Sequence, residues 1–339
     1  MDESRLKGFR LVEPPPTSGK RDFVSLVEAC YAFDAPEEEW LTGVARAAFS
    51  VLQRGLGAGL LHTSGKFEDG TFEIKHWLIV GERSVADAFL SVFRHVPPAD
   101  AAKVQAARGC ISVSAAFGGR ARHLERADVQ ALRAEAGIVD QLIVPLLVSE
   151  HESFQLLGNL ATPMAFPPRL RGAMQRVSAH FAAAHRLRAA LAKGEQSSEA
   201  VLSEDGQLLH AEGGARERPA RSALEDAARA INSARGPLRN EAPHEALEIW
   251  KGLVDGRWSL VRQQDRDGKR VLMARRNLPE LEGPATLTPV ERYVVSLVQK
   301  GHASKLIAYE LGLSPAAVSQ NLRTALRKLG IRHASELGR

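Results

Sequence analysis

Apolar residues recur along this chain in two rhythms, and the order of those rhythms divides it into segments. Three- and four-residue steps mark Asp22–Phe33 and Pro36–Leu56 as helices, the second with Trp40, Val44, Ala48, Val51 and Leu52 on one face. Apolar runs bounded by turn residues then predict strands over Gly57–Thr63 and Phe72–Val80, around a loop holding Ser64-Gly65 and Asp69-Gly70. Ser84–His95 returns to the helical period and is closed by Pro97-Pro98. Cys110–Phe117 reads as a strand and Leu124–Ala136 as a helix. Two apolar strands follow, Ile138–Val148 and Ser153–Leu160, around the turn Ser149-Glu150-His151. A long helix then spans Pro168–Lys193. Its stripe of Leu170, Met174, Val177, Phe181, Ala184 and Leu191, with Leu187 close by, suits either a core or one half of a coiled coil between two subunits.

Gly194–Ser198 is a polar break. Beyond it, Ala200–Ser203 and Gln207–His210 flank Asp205-Gly206, a favoured hairpin turn. Arg221–Ala234 and His244–Val254 have helical spacing. A second hairpin, Trp258–Arg266 and Lys269–Asn277, turns at Asp267-Gly268, and Leu278–Thr286 carries Pro279, Gly283 and Pro284 as a linker.

The last stretch predicts short helices in quick succession. Thr288, Pro289 and Glu291 have the spacing of a capping box with proline at the first helical position, and the helix stops at Gly301. A second helix, Lys305–Leu311, meets a turn at Gly312. Ser314 and Pro315 then start a third, whose apolar stripe is Val318, Leu322, Ala325, Leu326 and Leu329. Short helices around a Gly turn form a helix-turn-helix pattern with a support helix in front.

Charge sharpens this picture. The chain of 339 residues has a net charge of +5. From Ala285 onward there are basic residues at 292, 300, 305, 323, 327, 328, 332 and 339, and acids at 291, 310 and 336, so eight minus three accounts for the whole excess. A polyanionic partner for the C-terminal module follows. The N-terminal residues lack the apolar core of a signal peptide, and the apolar run Leu142–Val148 is too short to span a bilayer, so a cytoplasmic protein without a membrane partner is expected. Cys30 and Cys110 make neither a disulfide framework nor a metal cluster, and each reads as a buried small hydrophobe. Thr17-Ser18-Gly19-Lys20 lacks the first Gly and the final Ser or Thr of a phosphate loop. His244-Glu245 lacks the second His of a zinc-protease helix, and His180 and His185 share no helix face. No catalytic residues, cofactor or metal site are expected.

Leu287-Thr288-Pro289, Glu291-Arg292, Gly301, Lys305, Ile307-Ala308, Leu311-Gly312-Leu313-Ser314, Val318 and Arg327-Lys328-Leu329-Gly330 together resemble the LuxR-type helix-turn-helix family. The resemblance implies a four-helix all-α domain that binds double-stranded DNA, with a short fourth helix at Ala334–Leu337 for pairing. With the apolar stripe turned inward, Ser319, Gln320 and Arg323 are candidates for base edges, where Gln reads adenine and Arg guanine. Arg327 and Lys328 fall nearer the backbone, and Lys305 is placed for a phosphate. Ser314 and Val318 complete the candidate DNA-binding set. The chain departs from the family pattern at Val290, at Ala303-Ser304, and at Ala317, Ser319 and Asn321, which weakens one cap and removes a usual positive contact. A homodimer would compensate.

Asp140–Leu146, Phe154–Gly158 and the helix ending His180–Ala184 resemble a GAF domain, which implies a sensory or dimerising α/β sandwich with a cavity beside an antiparallel sheet. Val201–Leu209 and the paired Asp-Gly hairpins resemble a PAS domain, of which about four of the usual five strands are legible. The expected organisation is α+β and multidomain: a disordered lead-in at 1–21, a GAF-like domain at 22–193, a PAS-like segment at 197–278, a linker at 279–286 and the helix-turn-helix at 287–339. It implies a transcription regulator gated by a small molecule of unknown identity in the GAF-like domain. Alternatives are a ligand-free dimerising or partner-docking scaffold on the same DNA-binding end, or a GAF-type redox enzyme using Cys110. An acyl-homoserine-lactone receptor shares the DNA-binding end, but its Trp/Tyr/Asp cluster is not found.

Overall fold

The computed structural model describes residues 8–16, 20–66, 71–93, 96–105, 107, 109–148, 152–194, 198–250, 252–254, 258–264, 268–276, 289–311, 313–329 and 333–337. Two compact units, residues 1–178 and 179–339, divide the chain.

The first unit is built on a sheet in the order β1-β3-β2-β6-β5-β4. Its strands are β1 (Phe9–Val12), β2 (Ala58–Lys66), β3 (Thr71–Val80), β4 (Ile111–Ser112), β5 (Asp140–Leu147) and β6 (Glu152–Leu160). All neighbours are antiparallel except β1, which adds to β3 in parallel. The lead-in expected before residue 22 therefore contains an edge strand. Phe9 earns that place by packing edge-on against Trp77, their ring centroids 5.6 Å apart.

One face of the sheet is covered by α1 (Phe23–Cys30) and α2 (Glu37–Leu52). Asp22 caps α1 by accepting from the Ser25 amide at 2.9 Å. On α2, Trp40, Val44, Ala48, Val51 and Leu52 are all buried, as their spacing requires, and Trp40 Nε1 donates to the Cys30 carbonyl at 2.9 Å. Gly158 is the close-approach point, because a Cβ there would sit 2.8 Å from the Leu52 carbonyl oxygen. The opposite face carries α3 (Arg83–Phe93) and α7 (Ala127–Ala136), with Val85, Ala86 and Phe89 packed on Leu61, Ile74, Trp77 and Ile79. Between them run α4 (Pro98–Gln105), α5 (Val113–Ala116) and α6 (Arg120–Leu124).

The strand expected over Cys110–Phe117 is a correction. Its pairing lasts two residues, and Asp140 then captures the chain as α5 begins. The buried Asp140 carboxylate accepts from the Ser114 amide at 2.9 Å, the Ser114 hydroxyl at 2.6 Å and the Gln141 amide at 2.8 Å.

The long helix α8 (Pro168–Ala192) has the expected extent. Leu170, Met174, Val177, Phe181, Ala184 and Leu187 are buried within the single chain and Leu191 is half-buried, so all but the end of the stripe serves as core.

The second unit holds, after α8, a sheet in the order β8-β7-β11-β10-β9. Its strands are β7 (Ser198–Ser203), β8 (Leu208–Ala211), β9 (Leu253–Val254), β10 (Trp258–Gln264) and β11 (Arg270–Arg276), all antiparallel. Among the described residues this is one strand more than the sequence pattern yields. Leu253–Val254, read as a helix end, is instead β9. Gly206 takes φ +89° in the first hairpin turn, a conformation suited to glycine. Helices α9 (Arg218–Arg235), α10 (Leu238–Glu241) and α11 (Pro243–Ile249) complete this module, with Leu224, Ala227, Ala228 and Ile231 of α9 buried.

At the C-terminus stand α12 (Pro289–Gln299), α13 (Ser304–Leu311) and α14 (Pro315–Lys328), followed by a 3-10 turn at Ala334–Glu336. That 3-10 helix lies where the short fourth helix is expected. The Thr288 half of the capping box and Gly312 lie outside the described residues.

Candidate nucleic-acid interface and a cavity in the first unit

Helix α14 is held by its buried side and begins at a strong cap. Ser314, extended at φ −71° and ψ 152°, accepts from the Ala317 amide at 3.1 Å, and Pro315 occupies the first turn. Val318 is wholly buried against Tyr293, Val294, Leu297, Ile307 and Ala308, and Ala325 is buried against Val295 and Leu337. By helical geometry the residues between them must face outward. Ser314, Ser319, Gln320, Arg323 and Arg327 are exposed, as is Lys305 in the first turn of α13. Arg323 Nη1 lies 3.5 Å from Gln320 Oε1, so the two proposed base readers lean on each other at i, i+3 spacing.

Val318 does not share this surface. As a core residue it supports the helix from behind, a correction to its place among the DNA-contacting candidates. Lys328 ends α14, and its side chain lies outside the description. Ala303 precedes α13 and offers only its carbonyl, which accepts from the amides of Leu306 and Ile307, as expected of a cap without a side-chain acceptor.

Electrostatics favour an anion on this face. Among the described residues no carboxylate pairs with Lys305, Arg323 or Arg327. The acids Glu291 and Glu310 are both buried, whereas Lys305, Arg323 and Arg327 are exposed.

Glu310 is the residue that sequence reasoning missed. Its Oε1 accepts from the Tyr293 hydroxyl at 2.6 Å and lies 3.5 Å from Arg186 Nη2, which comes from the C-terminal half of α8. The Arg186 guanidinium also sits 5.1 Å from the centre of the Tyr293 ring. His302 Nδ1 is 3.7 Å from Glu310 Oε2. Burial is the main force holding the Tyr293 phenol well above its ordinary pKa; Arg186 opposes the shift and Glu310 adds to it. Tyr293 is thus a neutral donor throughout the working range. Nearby, His180 Nε2 is 2.8 Å from the Tyr309 hydroxyl and meets the Trp250 ring edge-on. Residues from α8, from the end of α11 and from α12–α13 thus share one buried polar cluster. A signal was present: Glu310 is three residues after Ile307, on the side that periodicity turns inward.

The first unit encloses a cavity of about 120 Å³ between the sheet and helices α3 to α7. Leu61, Trp77, Phe89, Ile143 and Leu157 supply apolar walls, with Gln105, Gln155, His123 and Asp140 among the polar groups. Gln105 Nε2 donates to Gln155 Oε1, and Gln155 Nε2 donates to the Val104 carbonyl. His123 is different. Its Nε2 is 2.8 Å from the Val139 carbonyl, which can only accept, so Nε2 carries the hydrogen and Nδ1 the lone pair. Among the described residues, buried Nδ1 has no hydrogen-bond partner.

Both cysteines are buried. Desolvation raises the Cys30 thiol beyond its ordinary range and pushes Cys110 up to about 12, which suits packing rather than redox chemistry.

No helix among the described residues is long and apolar enough to cross a membrane. No curated protein matches the chain. Residues 285–339 match the family model described as bacterial regulatory proteins, luxR family. That segment coincides with the capped, outward-basic helical module, and the C-terminal end of this chain is accordingly that of a LuxR-type, DNA-binding transcription regulator.

Proposed function

We propose that this regulator reads DNA sequence through Ser319, Gln320 and Arg323, anchors on phosphates through Lys305 and Arg327, and acts as a homodimer on paired half-sites. The observation that carries this reading is the outer face of α14. It is polar and basic, its arginines lack acidic partners among the described residues, and its opposite side is fully committed to core. A helix so presented fits the major groove. Residues 22–193 are read as a GAF-like sensor, consistent with a cavity beside an antiparallel sheet, and 197–278 as a PAS-like segment, consistent with five strands. The cavity is close in size to the roughly 150 Å³ that holds a benzene ring. Its occupant would be compact and largely apolar, with one hydrogen-bond donor for His123 Nδ1.

Gating is assigned to the buried cluster around Glu310. The recognition face stays exposed while Arg186 and His180 hold α12 and α13. The cluster would therefore set the orientation of the helix-turn-helix rather than cover it, and a paired site one DNA turn apart is sensitive to orientation.

Selection of binding sites from random DNA by the full-length protein, followed by anisotropy titrations, tests the reading. Arg323→Ala should cost about 1–3 kcal/mol on the selected sequence and little on random DNA. Lys305→Ala should weaken both alike and reduce the salt slope by about 0.9. Failure to enrich any sequence, or equal losses for Arg323→Ala on both DNAs, refutes it. Native mass spectrometry of the same protein separates a sensor, which retains a small molecule, from a ligand-free scaffold.

A further inference from the structure

On the face of the first sheet that carries α1 and α2, two histidines meet across neighbouring strands. β2 and β3 pair His62 with His76 in direct register. Their Nδ1 atoms are 3.1 Å apart, and their rings are nearly parallel, 13° from coplanar. His62 is buried, at 3% exposure. On its far side Nε2 lies 2.8 Å from Glu152 Oε1, on β6. A carboxylate only accepts, so Nε2 carries the hydrogen and Nδ1 turns a lone pair toward His76. Phe154 stacks on the His62 ring with centroids 3.9 Å apart, which fixes its plane. Glu37, at the start of α2, closes the group: one ligand atom from each of Glu37, His62 and His76 lies within 4.8 Å of the other two.

We infer that Glu37, His62 and His76 form a site for a first-row divalent cation of the Zn2+ type, with Glu152 as the positioning residue for His62. The spacing allows a shared metal: two nitrogens 3.1 Å apart, each about 2.05 Å from it, subtend about 100° there, close to a tetrahedral angle. Ring centroids 5.3 Å apart put the two Nδ1 atoms nearly in line, however, so each imidazole must turn to aim at the metal. Glu37 is exposed, and one of its carboxylate oxygens is already within 4.8 Å of a ring nitrogen of each histidine. Two imidazoles and a carboxylate, with positions left for water, suit Zn2+ and its neighbours rather than Ca2+ or Mg2+. The Glu152–His62 arrangement is the outer-shell pattern that sets ligand tautomer and orientation at metal sites. Arg10, a cation on the adjacent edge strand, is neutralised by an ion pair with Glu38. The rival is a plain hydrogen bond from His76 Nδ1–H to His62 Nδ1. It accounts for the 3.1 Å separation but assigns no role to Glu37.

Sequence reading had no access to this site, because residues 37, 62 and 76 have no motif spacing. The strand register brings the histidines together, and a β-bulge between His62 and Thr63 begins immediately beyond them.

The test uses untagged, full-length protein stripped with a chelator. Zn2+ is titrated in competition with a chromophoric chelator, and thermal unfolding is recorded with and without Zn2+. Wild type should take up one Zn2+ per chain and gain in unfolding midpoint. His76→Gln should abolish that uptake, Glu37→Gln should weaken it at least tenfold, and Glu152→Gln should weaken it about 10–100-fold. Should His76→Gln fail to fold, exposed Glu37→Gln and partly exposed Glu152→Gln decide the matter. Absence of stoichiometric uptake by wild type, or wild-type affinity in Glu37→Gln, overturns the assignment.

Discussion

Removing a single oxygen atom tests the cluster that holds the helix-turn-helix. In Tyr293→Phe the ring keeps its place among Val294, Leu297 and Ile307, so no cavity opens. The Glu310 carboxylate loses its 2.6 Å donor and keeps Arg186 at 3.5 Å, while its second oxygen already lacks a hydrogen-bond partner. A hydrogen bond to a charged group contributes about 1.5–3 kcal/mol, and the deprived carboxylate stays buried, so we expect a loss of about 2 kcal/mol. The phenol is neutral throughout the accessible range, so this loss does not depend on its ionisation. Hydrogen–deuterium exchange of the full-length protein is the assay, because it reads local opening segment by segment. A 2 kcal/mol loss corresponds to roughly 30-fold faster exchange. The acceleration should appear in peptides from α12 and α13, with the first sheet unchanged. An acceleration under about twofold in those peptides would refute the claim that Glu310 is stabilised chiefly by Tyr293.

His302 is held below its ordinary pKa, by burial first, with Glu310 pulling upward and Lys300 downward. Its folded value therefore lies below the unfolded value of about 6.5. Its stability contribution is complete above that pH and is lost as pH falls toward the folded value, since the unfolded chain takes up the proton first. Urea unfolding at several pH values should show this slope in wild type and a flatter one in His302→Gln; parallel curves would count against it. Gly158→Ala places a methyl 2.8 Å from the Leu52 carbonyl oxygen and 3.1 Å from Leu52 Cβ, and backbone cannot yield cheaply there. It should cost about 1–3 kcal/mol in urea unfolding, and a neutral result would show that α2 can slide. Cys30 and Cys110 should react with a thiol reagent only after denaturant is added, and Cys110→Ser should regulate as wild type does. Prompt labelling of the native protein would revive the redox alternative.

The sequence was most legible where periodicity, caps and turn residues agreed. The α14 stripe and its Ser314–Pro315 start are local properties, so Val318 inward and Arg323 outward follow from spacing alone. The two Asp-Gly hairpins were equally plain. Legibility failed where a long-range partner decided the outcome. Cys110–Phe117 reads as a strand, yet Asp140, 26 residues beyond Ser114, supplies the acceptors at the start of a helix there. Phe9–Val12 and Leu253–Val254 are too short to show a period, and only pairing makes them strands. Glu310 entered only the charge count, because its partners, Tyr293 and Arg186, lie on other helices. The cavity and the histidine pair depend on sheet register, which one sequence does not reveal.

Strands β2 and β3 carry one further implication. Leu61 and Trp77, in register with each other, line the cavity on one side of the sheet. His62 and His76, the next register pair along, project from the other side. The two surfaces are separated by one thickness of peptide backbone. If an occupant of the cavity alters the affinity of the histidine pair for a cation, the cation must alter the affinity for that occupant by the same factor.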